Sequence, residues 1–318
     1  MGFLYSQLLV TPAYPTHSFK DQTIIVTGSN VGLGLEAARH FVRLNAATVI
    51  LAVRNRPAGE AAKASLQSSH PDSDTSIEVW DLDLASYASV LAFAEKVSSL
   101  PRLDVLLCNA SIATSSFQQA EAHERTITVN VISTILLGLL VLPTLRRSAA
   151  KYGTKPRLTT VVSEVHAWTK FPERNAENTF AALDDEEHTD MGERYQTSKL
   201  LQVLALREMV ARMRDDSVVV NMVNPGLCHS QLGRDSGIGL ALMKMVLART
   251  TEVGGRTLVA GAAAGEESHG VYMTDGKVDN RALSAFVRSE EGKQAQEKVW
   301  GELGEILEEI RPGVTDNL

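Results

Sequence analysis

The segment TIIVTGSNVGLG, residues 23–34, sets an apolar run directly against glycines at Gly28, Gly32 and Gly34. An apolar run without alternation predicts a strand buried on both faces. The residues after it, from Gly32 to about Asn45, carry the apolar spacing of a helix. Glycines in such a turn let the backbone come close to a pyrophosphate, and the following helix start offers unpaired N–H groups with a positive dipole. The spacing is G-x-x-x-G-x-G rather than G-x-G-x-x-G. Gly28, Gly32 and Gly34, with Asn30 and Leu33 between them, are therefore the candidate phosphate-binding residues.

Outward from this segment, short apolar strands at 23–27, 48–53, 77–81, 104–108, 158–163 and 218–223 alternate with helical patterns at 57–69, 86–98, about 120–149 and 192–213. Strands that are apolar throughout, with a helix in each crossover, define an α/β fold: one doubly wound (Rossmann) domain, a central parallel sheet with helices on both faces. The domain is assigned to residues 20–318, after an N-terminal extension at 1–19. A long insert at 164–192 and a flap at 227–250 interrupt the pattern, and 289–311 reads as an amphipathic surface helix. The charge runs at 146–157 and 184–188 read as solvated loops.

At the end of the second strand stands Leu51-Ala52-Val53-Arg54-Asn55-Arg56, with no carboxylate to hold the ribose hydroxyls of NAD. Arg54 can pair with a phosphate in two places at once, so NADP(H) is the expected cofactor. Asp83 either accepts a hydrogen bond from an adenine amino group or caps the next helix, a role Ser86 can fill instead. Tyr195 and Lys199 lie four residues apart on one helix face. A nearby cation favours phenolate, and bringing a tyrosine near neutrality takes roughly 3 pKa units, about 4 kcal/mol.

Composition narrows the partners. The chain of 318 residues is 44% hydrophobic and 22% charged, ordinary for a globular protein. A net charge of −7 argues against nucleic acid. Cys108 and Cys228 cannot form a disulfide framework, so a reducing, cytoplasmic setting fits. The N-terminal stretch is apolar but interrupted by Pro12 and Pro15, and reads as a loosely attached surface segment rather than a stable membrane anchor. GIGLALMKMVLA at 237–248 is too short to span and suits a substrate-covering flap or, less well, a membrane-touching helix.

With TGSNVGLG (27–34), DLDL (81–84), CNAS (108–111), VN (129–130), VVSEVH (161–166), YQTSK (195–199) and NPGLCHS (224–230) in this order, the chain resembles the short-chain dehydrogenase/reductase family over about residues 20–275. Its details are most similar to the retinol-dehydrogenase-like branch and to fungal reductases that tailor secondary metabolites. The resemblance implies a tetrad of Asn130, Ser163, Tyr195 and Lys199. Tyr195 would be the general acid or base, with Lys199 lowering its pKa and binding the nicotinamide ribose. Ser163 would grip the carbonyl oxygen, and Asn130 would interrupt its helix and hold a relay water. Asn109 and Ala110 would pack near the adenine ribose. Pro225 and Gly226 would turn the chain past the nicotinamide, and Ser230 would bind its carboxamide.

Three departures stand out. Ser111 replaces the usual glycine, Val162 replaces a serine before Ser163, and Glu164 follows it. Glu164, His166, Trp168 and Met243 are assigned to the substrate pocket, with Phe171, Ile238, Leu240 and Met245 nearby. The implied function is NADPH-dependent interconversion of a ketone and a secondary alcohol on a small apolar metabolite, in a homodimer or homotetramer and without a metal. Its rivals are a cofactor-binding scaffold without redox activity and a membrane-associated retinoid or lipid dehydrogenase.

Overall fold

In the computed structural model, which describes residues 3–229, 232 and 247–318, Ile24, Ile25 and Val26 are all fully buried. Successive strand side chains face opposite ways, so Ile24 and Val26 enter one core while Ile25 enters the other. The strands, in chain order, are β1 (Thr23–Thr27), β2 (Thr48–Val53), β3 (Ser76–Asp81), β4 (Val105–Cys108), β5 (Gln119–Ala120), β6 (His123–Glu124), β7 (Arg157–Val161), β8 (Val219–Asn224), β9 (Tyr272–Thr274) and β10 (Lys277–Val278). Eight of them form one sheet in the order β10-β9-β8-β7-β4-β1-β2-β3. All its pairings are parallel except β10 with β9, which adds an antiparallel edge to the expected sheet.

The helices are α1 (Phe3–Leu9), α2 (Gly32–Arg43), α3 (Arg56–Ser69), α4 (Tyr87–Ser98), α5 (Arg125–Ile127), α6 (Ser133–Tyr152), α7 (Thr179–Leu183), α8 (Arg194–Arg212), α9 (Thr251–Ala263) and α10 (Glu290–Ile310). One core packs α2, α3 and α9 on the sheet, and the other packs α4, α6, α8 and α10. The strand order reverses between β1 and β4, where the chain goes out to β3 and returns. Ligands of open α/β sheets bind beyond the carboxyl ends of the strands at that switch point.

Two expectations are corrected here. Residues from 120 do not begin a helix: β5 and β6 form a hairpin instead. It is held by Asp184, which accepts from the Glu124 N–H at 2.7 Å and meets His123 Nδ1 at 2.7 Å. Only then does α5 start, and a π-helical turn at Thr128–Ile132 separates it from α6. Within α6, Pro143 cannot donate to the carbonyl of Leu139, and Asn317 Nδ2 donates to that oxygen at 3.2 Å. Arg125–Tyr152 is the one helix among the described residues long and apolar enough to cross a membrane, and 89% of its most apolar window is buried inside the protein.

The N-terminal segment is not loosely attached. Gln7, 9% exposed, donates to the carbonyls of Leu227 and Leu247 and accepts from the Leu227 N–H. Arg249 and Asp275 form a buried ion pair at 2.6 Å, and both bind Ser6. The opposite side of α1 exposes Leu4, Tyr5, Leu8 and Leu9.

A second buried pair positions α8. Arg194, at the helix start, lies 3.6 Å from Glu124 and donates to the Leu183 carbonyl at 2.8 Å. Glu124 in turn caps α5 by accepting from Thr126 and Ile127. Burial pushes the Glu124 carboxyl up and the Arg194 guanidinium down, the cost that each partner offsets for the other.

Candidate active site

The glycine loop follows β1 at the switch point. Gly28 and Gly32 both adopt left-handed backbone (φ 64° and 62°), which side chains resist. Gly34 is required by space: a Cβ there would come within 2.5 Å of Asn109 Nδ2 and 2.7 Å of the Gly28 carbonyl. Asn109 Nδ2 uses that approach to donate to the carbonyls of Thr27 and Gly28, at 2.8 and 3.2 Å. The Asn109 and Ala110 N–H groups donate to Thr27 Oγ1, so the end of β4 is tied to the end of β1. Gly34→Ala is therefore expected to destabilise the fold by about 1–3 kcal/mol, the usual range for overpacking. Chemical denaturation checks this, and an unchanged midpoint would contradict the close approach.

Three observations fit this end of the sheet to a dinucleotide. The first turn of α2 has Val31 as its N-cap with no side-chain cap, so its N–H groups have no local acceptor. Ser111, just past β4, has a buried hydroxyl without a partner. Its φ lies outside the left-handed region, so the serine replaces glycine without backbone strain. Arg54 is exposed at the end of β2, where its neighbours are already engaged. Asn55 caps α3 through the Ala58 N–H, and Arg56 pairs with Asp81 at 2.9 Å. Asp83 does not cap α4: Ser86 does, while Asp83 Oδ1 accepts from the Ala85 N–H.

The ends of β7 and β8 carry the second half of the site. The Tyr195 phenol lies beside the Ser163 side chain, which acts to lower its pKa. Lys199, one turn further along α8, is 1% exposed, and its Nζ sits 5.6 Å from the Tyr195 ring centre. Asn130 lies in the π-helical turn, fully buried, and its amide clamps Ile112 from both sides and reaches Ser198. The interrupted helix thus matches the expectation for Asn130.

The electrostatics differ from the expected cation-lowered phenol. Burial raises the Tyr195 pKa, and the Ser163 side chain opposes it. Burial also lowers Lys199 to about 7. A lysine without a counter-charge loses its own proton before it can stabilise a phenolate. In this state Tyr195 is a protonated donor.

Asn224, absent from the sequence-derived set, ties together the ends of β7, β8 and β9. Its Oδ1 accepts from the N–H groups of Glu164 and Gly226, and its Nδ2 donates to Thr274. Pro225 and Gly226 turn the chain there, with Gly226 at φ 75°. A Cβ on Gly226 would lie 2.3 Å from Gln7 Oε1, so α1 packs directly against this turn. Ser230 and Met243, with Ile238, Leu240 and Met245, lie outside the described residues.

The remaining pocket assignments sort by their contacts. His166 is corrected from substrate contact to a positioning role. Its Nδ1 meets the Ser163 carbonyl at 2.7 Å, and its Nε2 accepts from the Ser284 N–H at 3.0 Å. Both nitrogens are occupied, and burial keeps the ring neutral by lowering its pKa. Trp168 is 49% exposed and stacks edge-on with Phe3. Glu164 is raised to about 7, chiefly by burial, with Arg249 pulling it down and Asp275 pushing it up. A cavity of about 260 Å³ lies behind His166 and Phe171, lined also by Leu200 and Phe286, but neither Tyr195 nor Ser163 borders it. Cys108 and Cys228 are buried thiols raised to about 12, packing residues rather than nucleophiles.

Known proteins share this fold and family. The short chain dehydrogenase family pattern matches residues 22–154. A short chain dehydrogenase/reductase of Cryptosporiopsis sp., dmxR8, is 48% identical, with all of both chains covered. The short-chain dehydrogenase anuD of Penicillium roqueforti is 46% identical, covering 99% of this chain and 84% of the relative. Among solved structures, a short-chain dehydrogenase from Sphingobium yanoikuyae in complex with NADPH has a TM-score of 0.62 at 19% identity, covering 88% of this chain and 95% of the other. A 3-ketoacyl-(acyl-carrier-protein) reductase from Brucella melitensis complexed with NADH has a TM-score of 0.60 at 18% identity, covering 81% and 97%. The chain belongs to the short-chain dehydrogenase/reductase family, and it is an oxidoreductase of the Rossmann fold.

Proposed function

We propose that this protein is an NADPH-dependent reductase of a ketone on a small apolar metabolite, with Tyr195 as the proton donor. The observation that carries the reading is the Tyr195–Ser163 hydroxyl pair at the end of β7, with Lys199 one turn away. NADPH supplies the hydride when bound. Gly28, Gly32 and the open N–H groups of α2 would hold its pyrophosphate, Arg54 its additional phosphate and Lys199 its nicotinamide ribose. Ser163 and Tyr195 together present two hydroxyls to one carbonyl oxygen, fixing its position and stabilising charge as it develops. The raised Tyr195 pKa keeps the phenol protonated at rest, the form that can donate a proton in reduction.

Oxidation of NADPH followed with a panel of apolar ketones tests this. Turnover of at least one, abolished by Tyr195→Phe, is expected. Tight cofactor binding with no carbonyl turned over would instead support the redox-inactive scaffold. Arg54→Ala is expected to weaken NADPH about tenfold and leave NADH unchanged, the modest effect of an exposed, screened phosphate contact. Equal effects on both nucleotides would remove Arg54 from the phosphate site.

The exposed Leu4, Tyr5, Leu8 and Leu9 side of α1 favours a second reading, a membrane-associated lipid dehydrogenase. Co-sedimentation of the protein with vesicles decides between them, because the first reading expects it to stay in the supernatant.

A further inference from the structure

Lys199 has three N–H donors. Two are engaged within the protein: Nζ donates to the Val161 carbonyl at 3.0 Å and to Gln202 Oε1 at 2.8 Å. Gln202, 1% exposed, donates from Nε2 to the main-chain carbonyl of Asn130 at 2.5 Å. The resemblance implied a water held by Asn130 in a proton relay. Here a side-chain amide joins Asn130 and Lys199 directly. Only one orientation of that amide serves both neighbours, because the flipped one would set donor against donor and acceptor against acceptor.

We propose that Gln202 is the positioning residue of this site, holding the Lys199 ammonium at a fixed point by bridging it to the Asn130 carbonyl. This rests on reading Tyr195 and Lys199 as the acid–base pair. An amide in its ordinary tautomer passes no proton onward, so the chain of hydrogen bonds ends at Lys199.

The third Lys199 N–H is left for a sugar hydroxyl, with the direction set by the other two. Tyr195 is the titratable side chain beside the ammonium, and Ser163, Ser198, Asn130 and Gln202 around it are neutral. Burial lowers the Lys199 pKa.

The test is NADPH affinity against pH, read from the fluorescence of the bound dihydronicotinamide, with kcat/KM profiles and thermal unfolding alongside. In the wild type, affinity is expected to fall as pH rises and Lys199 loses its proton. Gln202→Leu keeps the bulk, excludes water and removes the acceptor, so that fall should begin about one pH unit lower. Gln202→Glu sets a carboxylate against the ammonium and should move the fall to higher pH. Opposite movements in the two variants are the expected result, and the Glu variant alone carries it if the Leu variant does not fold. An unmoved binding profile overturns the proposal, including the case where only the melting temperature drops, as for a purely structural glutamine. Shifted binding profiles in a protein that reduces no carbonyl would sink the proposed function and leave the Gln202 bridge standing. A wild type that binds neither NADPH nor NADH overturns both.

Discussion

Tyr195→Phe is expected to lower kcat/KM for carbonyl reduction by about 10²–10⁴-fold, the range for loss of a positioned general acid. The ring stays, so the packing of α8 is kept and only the hydroxyl and its interaction with Ser163 are lost. Loss of one such interaction is worth about 1 kcal/mol, small beside the catalytic effect. NADPH affinity should change little, because the cofactor contacts assigned to this chain are the glycine loop, Arg54 and Lys199. A fall in kcat/KM accompanied by an equal loss of cofactor binding would mean that Tyr195 holds the site's shape and does not donate the proton.

The pH dependence follows from the same two side chains. Lys199 is lowered from 10.5 to about 7, so the unfolded chain binds more protons than the native one between those values. By linkage, this group's contribution to stability rises with pH across that window. Glu164, raised from 4.5 to about 7, acts in the opposite sense below it: its contribution falls as pH rises from 4.5 to 7.

Arg249→Met is the second large effect, expected to cost about 3–5 kcal/mol in chemical denaturation. Arg249 is 7% exposed, and its guanidinium donates to Asp275, Ser6, Val10 and the Pro225 carbonyl. Without it the buried Asp275 carboxylate keeps, among the described residues, only the Ser6 hydroxyl. The loop at Pro225–Gly226 and α1 would loosen together, so proteolysis near the N-terminus should accelerate and cofactor affinity should drop with stability. Adding Asp275→Asn removes the unpaired charge, and asparagine tolerates the left-handed backbone at this position (φ 53°). The double variant should therefore recover part of the loss. If it is no more stable than Arg249→Met, the ion pair is not what fastens the N-terminal helix.

Much of the site was legible because it is local. A strand running into glycines, an Arg at the end of β2, and a Tyr and Lys one turn apart are patterns within a few residues of one another. The sheet was legible for a related reason: apolar runs without alternation have one stable home, between two helical layers. The hairpin at 119–124 was not, since what holds it is Asp184, about sixty residues away. Gln202 carries no spacing signal of its own; its role exists only because a π-helical turn turns the Asn130 carbonyl toward it. His166 looked like a pocket residue until both its nitrogens were found bonded to backbone.

By itself the sequence determined the order of the parallel strands from β1 to β8 and of the helices between them, the glycine turn, the choice of candidate nucleotide and the Tyr195–Lys199 face, because each depends on neighbours along the chain. The tertiary structure alone decided the protonation of that face, the tethering of α1 over the Gly226 turn, and the bridge from Asn130 to Lys199. Burial sets how strongly a charge is disfavoured, and burial is made by residues as far apart as Ser6 and Asp275, 269 positions from each other.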